Sequence, residues 1–400
     1  MRLWYLIPVV VLVLLVLSAP IAFRDGPEEA APAPVPREPS ETEKAVERQQ
    51  RAIAAAYDKY GKKVAQVWGE EAVVPDARRD VVYRDNLRQR SIVDYEQGVV
   101  AVEVAMPPDE ADDHAIRSQR LASAVAQTLR QAPDERSIEE IAEHPEPPHT
   151  QAPALLTGLV GHEDGRPFTP EELEDFTRER VRAMALRALN GDDGNERVVV
   201  STQFKMVPEH LRVLAERFRH SVERYAQEHE MPAPLIYAII ETESAFNPLA
   251  RSPIPAFGLM QLVPTTGARD AYKFLYDKDI VVQERYLYVA DKNVELGTAY
   301  LHLLYYNYFK RIKNRDSRLW ATIAAYNAGP RNVIESFSGE YSRRRYASSY
   351  SWKRHAINKI NRMDSNRVYA YLRKHMPYRE TRDYLKKVRT RMPKYADEAA

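Results

Sequence analysis

The chain contains no cysteine, which excludes disulfides, thiol catalysis, cysteine-bound metal and a lipid anchored through a cysteine. It also lacks net charge. Fifty-eight Lys and Arg stand against 57 Asp and Glu, leaving +1, so no global field recruits nucleic acid. No phosphate loop or dinucleotide fingerprint occurs, and no repeat of fixed period. His210, His220 and His229 have no metal-ligand spacing, and their charged surroundings suggest a solvated helix face. The residues therefore predict neither cofactor nor metal.

Four hundred residues are enough for two or three domains. Residues 3–23 are almost wholly apolar between Arg2 and Arg24, and about 20 such residues can cross a bilayer. We expect an uncleaved signal anchor over 1–24, with a cleaved signal peptide as the rival. Pro27, Pro32, Pro34, Pro36 and Pro39 make 25–44 an extended linker. A mixed α+β domain is expected over 45–204. A helix over 41–66 precedes strands at 91–95 and 99–106, which flank the Glu96-Gln97-Gly98 turn. A helix over 114–131 follows, another starts at Thr169-Pro170, and a last strand covers 197–206. No catalytic constellation falls in this stretch. Residues 205–400 read as helical, with helices at 208–229, 233–245, 292–311, 317–327 and 366–374 and one after Pro377. The fold class is α+β multidomain, a mixed domain followed by a mainly helical one.

Within the helical part, Ile236, Ile239, Ile240 and Glu243 recur at i, i+3, i+4 and i+7, so they project from one face. A carboxyl among isoleucines resists ionisation, and its pKa moves toward the range of a general acid. Glu241 falls further round the helix and is expected to be wetter. The competing reading is a structural glutamate that caps the helix or pairs with an arginine.

Further motifs follow in order: Gly258-Leu259-Met260-Gln261-Leu262, Pro264-Thr265-Thr266-Gly267, Ala325-Tyr326-Asn327-Ala328-Gly329-Pro330 and Glu380-Thr381-Arg382-Asp383-Tyr384-Leu385. With Glu243-Ser244 this set resembles the catalytic domain of the family 1 lytic transglycosylases, lysozyme-like enzymes that cleave bacterial peptidoglycan. In the first half, Tyr83-Arg84-Asp85-Asn86, Gly98–Glu103 and Met206–Leu211 resemble the membrane-bound lytic murein transglycosylase C group, in which a small mixed domain precedes the catalytic one.

The resemblance implies cleavage of the β-1,4 bond between N-acetylmuramic acid and N-acetylglucosamine. Glu243 would be the single acid/base, the product a 1,6-anhydro sugar, and no cofactor or metal would be needed. It implies that Ser252 touches the reacting sugar and that Met260 and Gln261 line the cleft. Tyr326 and Asn327 would lie close to the acid, and Glu380 and Tyr384 would support the site. Structural readings stay open for Ser244 as a helix cap, Met260 as core, Tyr326 as packing and Glu380 as a partner of Arg382. The basic clusters Lys310-Arg311, Arg343–Arg345 and Lys386-Lys387 are a solvated surface or attract the anionic wall polymer.

The expected partners are peptidoglycan glycan strands, the membrane through the N-terminal segment, and a cell-wall enzyme complex. Murein places the catalytic domain in the periplasm. The missing cysteine departs from the group's lipid attachment. A lysozyme-like hydrolase and a non-catalytic murein-binding scaffold are the alternatives. The first domain is expected to pack beside the cleft, and residues 277–291 could close it.

Overall fold

The computed structural model describes residues 41–148, 152–162, 166, 168–253, 255–339 and 349–396. The expected anchor, most of the linker and the Arg343–Arg345 cluster lie outside these residues. The helices are α1 (Glu41–Trp68), α2 (Pro108–Asp112), α3 (His114–Leu129), α4 (Ile138–Glu143), α5 (Pro170–Arg182), α6 (His210–Arg217), α7 (Arg219–Glu228) and α8 (Ala233–Ser244). They continue with α9 (Gly267–Tyr276), α10 (Glu284–Tyr288), α11 (Ala290–His302), α12 (Arg315–Ala328), α13 (Pro330–Ser338), α14 (Ser349–Asn361), α15 (Ser365–His375) and α16 (Arg379–Arg391). The chain folds into two compact units. One takes in residues 44–303 and the C-terminal stretch from 386; the other holds 304–385.

The first unit contains the sheet. Strands β1 (Arg79–Arg84), β2 (Gln89–Asp94), β3 (Val99–Met106), β4 (Ala185–Asn190) and β5 (Glu196–Lys205) run antiparallel in the order β1-β2-β3-β5-β4. The expected hairpin is β2–β3, closed where Asp94 pairs with Val99, and Gly98 takes the left-handed φ of 64° in its turn. Successive residues of β2 show which helix lies on which face. The Arg90 guanidinium lies over the Trp68 ring of α1, while Gln89 and Ser91 reach Gln127 and Gln131 beside α3. Neighbouring strand residues point to opposite faces, so α1 and α3 cover opposite sides of the sheet.

From α1, Ile53, Tyr57, Tyr60, Val64 and Trp68 are buried at helical spacing, and the Tyr60 and Trp68 rings meet Tyr83 of β1 edge-on. The start of α5 has the expected chemistry. Thr169 caps it, and Glu172 bonds back to complete a capping box.

Two helices expected to be continuous are divided. The 208–229 stretch breaks at Phe218 into α6 and α7, so that Leu214 and Ala215 bury on one side of the break and Val222, Tyr225 and Ala226 on the other. The 292–311 stretch ends as a helix at His302 and continues as a π-helical turn over Leu303–Tyr308. The histidines correct another expectation. His229 is buried, and His210 is half-buried, its Nε2 2.9 Å from the Tyr95 carbonyl and its ring against Gly98. His220 alone of the three is exposed.

In the second unit α12 packs on α13 and α15, and α13 on α14. Phe337 stacks on Tyr371, whose hydroxyl donates to the Ser336 carbonyl at 3.0 Å.

Candidate active site

The helix that carries Glu243 begins after Pro232, with Pro234 in its first turn, where a missing N–H leaves nothing unpaired. It ends abruptly. Ala245 and Phe246 both take left-handed φ, 50° and 63°, an uncommon conformation that costs of order 1–3 kcal/mol at a non-glycine residue. The helix is enclosed on every side, not along one face as the isoleucine spacing predicts. Residues 235–242 and 244–247 are all buried, and Glu243 alone in that span is half-buried. Solvent can therefore meet a carboxylate at one point of an otherwise closed helix end.

Glu241 is the reverse of its expectation. Only 2% exposed, it receives Arg391 Nε at 2.9 Å, Lys394 Nζ at 2.9 Å and the Tyr395 hydroxyl at 2.7 Å. The cause is the returning C-terminal stretch, whose Tyr395 ring also stacks on Tyr237. Arg391 further donates to the Thr242 hydroxyl. Two carboxyls two residues apart thus have separate environments: Glu241 is fully paired inside the protein, and Glu243 is part-open.

The next motif is pinned to this helix end. The buried Ser244 hydroxyl faces the Ile240 carbonyl at 3.1 Å and the Leu259 carbonyl at 2.8 Å, tying α8 to the Gly258–Leu262 loop. Gln261 adopts φ 45°, and its Nε2 lies 3.1 Å from the carbonyls of both Ala250 and Gly258. Ser252 is half-buried in a short loop that its N–H closes onto the Ala256 carbonyl. Met260 is fully buried, its thioether against Gly297, so it shapes the loop from inside.

Sequence reasoning missed Asn293. Fully buried on α11, it accepts from the Met260 N–H at 2.8 Å and donates to the Phe257 and Leu287 carbonyls. Its only signal was an amide among the apolar positions of a helix.

Gly258 explains why this motif begins with glycine. Its φ is 74°, and a Cβ there would sit 2.2 Å from the Leu287 carbonyl oxygen. Gly258→Ala should lower stability by about 1–3 kcal/mol through backbone strain alone and displace Gln261. Urea unfolding of the variant checks this, and an unchanged midpoint would count against it.

The second unit holds the remaining motif residues. Tyr326 and Asn327 are half-buried in the last turn of α12, before Gly329 turns the chain at φ 83° into α13. The buried Thr381 donates to Asn327 Oδ1 at 2.7 Å, joining this motif to the start of α16. There Glu380 is exposed and Tyr384 is buried. Arg382 turns to the Met376 carbonyl. Among the described residues, no three His, Asp or Glu side chains are grouped to hold a metal.

Two family patterns match the chain in succession. Residues 46–217 match the N-terminal domain of membrane-bound lytic murein transglycosylase C, and 220–348 match the transglycosylase SLT domain. The membrane-bound lytic murein transglycosylase C of Actinobacillus succinogenes is 30% identical over 332 residues, covering 82% of this chain and 85% of that one. The protein of the same name from Haemophilus influenzae is 30% identical over 81% and 84% of the two chains. A looser likeness, TM-score 0.34 at 20% identity, covers 73% of this chain and 47% of the 70 kDa soluble lytic transglycosylase of Escherichia coli. With sheet domain and helical domain matched in order, and relatives 30% identical over four-fifths of its length, the chain belongs to the membrane-bound lytic murein transglycosylase C family and is a peptidoglycan lytic transglycosylase.

Proposed function

We propose that Glu243 is the single acid/base of this enzyme and that the product is a 1,6-anhydromuramic sugar. The observation that carries this reading is the exposure pattern: Glu243 is the one side chain between 235 and 247 that is not closed off. Glycosidic cleavage through an oxocarbenium-like centre needs a proton on the departing oxygen. Glu243 delivers it as the bond between muramic C1 and that oxygen breaks. The muramic C6 hydroxyl then attacks C1 and returns its proton to Glu243, so no water is consumed and the acid is regenerated. Ser252 and Gln261 hold the sugar from the pinned loop. Met260 supports that loop from below, and for Tyr326, Asn327, Glu380 and Tyr384 the family resemblance supports a role in the same reaction.

The relatives are named membrane-bound, which supports residues 1–24 as an anchor and 25–44 as a spacer, with the enzyme in the periplasm. Among the described residues, no helix is long and apolar enough to cross a membrane. The change of family pattern between 217 and 220 supports a division into two domains there, somewhat after the expected 204/205.

Digestion of murein by the full chain in detergent, in water enriched in oxygen-18, tests the chemistry. Anhydro-muropeptides without the heavy isotope are expected. Reducing ends carrying oxygen-18 would make the enzyme a hydrolase, and release of nothing would leave a binding protein.

A further inference from the structure

Two buried helical threonines, Thr128 and Thr242, turn their hydroxyls onto their own helices, donating to the Ala124 carbonyl at 2.8 Å and the Ala238 carbonyl at 2.6 Å. Such back-bonding is common for a threonine in a helix. Thr381 does otherwise. It lies in the first turn of α16 and is 1% exposed, although residues 377–380 before it are all exposed. With the buried Tyr384 and Leu385 it occupies the inward stripe of the helix at i, i+3 and i+4. A valine would fill that position equally well. The hydroxyl instead crosses to another helix, where it donates to Asn327 Oδ1 of α12 at 2.7 Å.

That bond settles which way the Asn327 side chain faces. A carboxamide has an acceptor oxygen and a donor nitrogen, and the terminal torsion of asparagine is broad, so an unheld amide turns over readily. A buried hydroxyl needs an acceptor for its proton, and Oδ1 is the partner that Thr381 meets. The other end of the amide is open. Asn327 is half-buried, and its Nδ2 neither bonds to another described residue nor is closed off from solvent. The nitrogen is thus held outward as a hydrogen-bond donor.

An outward amide N–H calls for a carbonyl. Both sugars of the murein glycan carry one, in their acetamido groups. We propose that Thr381 is a positioning residue for the cutting reaction, holding the Asn327 amide with its nitrogen outward as a donor to an acetamido carbonyl of the glycan. The proposal deepens the reading of the site given above, because the family resemblance supplies the role of Asn327. It does not involve Glu243.

The test measures initial rates of the full chain in detergent on soluble murein glycan strands and on the same strands after de-N-acetylation. Thr381→Val keeps the shape and removes the bond. It is expected to raise KM on the acetylated strands about three- to tenfold, the usual worth of one neutral hydrogen bond. The kcat should stay within about twofold, since a contact made in both ground and transition states acts on KM. Thr381→Ser restores the hydroxyl and should restore KM. On de-N-acetylated strands wild type and Thr381→Val should converge. In an Asn327→Ala background Thr381→Val should add nothing, as expected of a residue that acts through another. An unchanged KM in Thr381→Val overturns the proposal. So does a loss that is equal on both substrates, or that persists undiminished in Asn327→Ala, either of which would make Thr381 a packing residue. If Asn327→Ala itself leaves KM unchanged, Asn327 has no part in binding and the proposal falls with it. None of these outcomes touches the reading of Glu243, which stands on product mass.

Discussion

Glu243→Gln is expected to cut murein about 10²–10⁴ times more slowly than the wild type, the usual worth of a positioned general acid, while melting at nearly the same temperature. Glutamine keeps the shape of the side chain and removes only the proton that is given and taken back. At a half-buried position the neutral amide meets no new desolvation cost. The neighbouring carboxyl supplies the control. Glu241→Gln leaves the largely buried Arg391 and the half-exposed Lys394 facing a neutral group, and breaking a buried pair from one side costs about 3–5 kcal/mol. That variant should lose melting temperature and keep its turnover per folded molecule. Initial rates of muropeptide release, normalised to folded protein, separate the two. A Glu243→Gln enzyme within tenfold of wild type would remove Glu243 from the acid's role.

Of the two glutamates, only Glu241 departs from its expectation. The spacing Ile236, Ile239, Ile240, Glu243 was enough to single out Glu243. The burial of Glu241 depends on Arg391, Lys394 and Tyr395, which arrive from the far end of the chain. No local pattern carries that contact. The Thr169–Glu172 capping box and the Gly98 hairpin were legible because their chemistry is local.

Strands β1 and β4 escaped notice for a physical reason. Each lies at an edge of the sheet, and β4 is largely exposed along its length, so neither needs the clear alternation that β3 shows. The break at Phe218 was hidden because a charged helical pattern runs through it. Within the candidate site, the motif residues were readable as a set. Asn293 and the packing of Met260 on Gly297 were not, since both depend on α11 meeting the loop.

Arg251→Met should destabilise the protein by about 3–5 kcal/mol, and by more at pH 8 than at pH 5. Arg251 is 2% exposed. It donates to the carbonyls of Arg136 and Asp134, each at 3.1 Å, and its guanidinium lies 5.1 Å from the centre of the Tyr288 ring. Methionine fills similar space but strands both carbonyls. It also removes the cation that restrains two acids, the buried Glu284 and the half-buried Asp80. Burial pushes Glu284, 7% exposed, up to about 7, with Glu139 and Glu140 adding to the rise and Arg251 opposing it. Burial likewise pushes Asp80 up to about 6, again against Arg251.

Both folded values lie above the ordinary ones of 4.5 and 3.8. The native state therefore holds more protons than the unfolded chain across that window, and stability falls as pH rises from about 4 through about 7. For Glu284 the full loss is about 3 kcal/mol at most. Without Arg251 both acids are harder to ionise, so the variant's deficit widens as they titrate. Adding Glu284→Gln to Arg251→Met should recover part of the loss at pH 8 and little at pH 5. Guanidinium chloride unfolding of the single and double variants at the two pH values measures this, and a penalty for Arg251→Met that is equal at both would show that its two carbonyl bonds, not the two acids, account for its role.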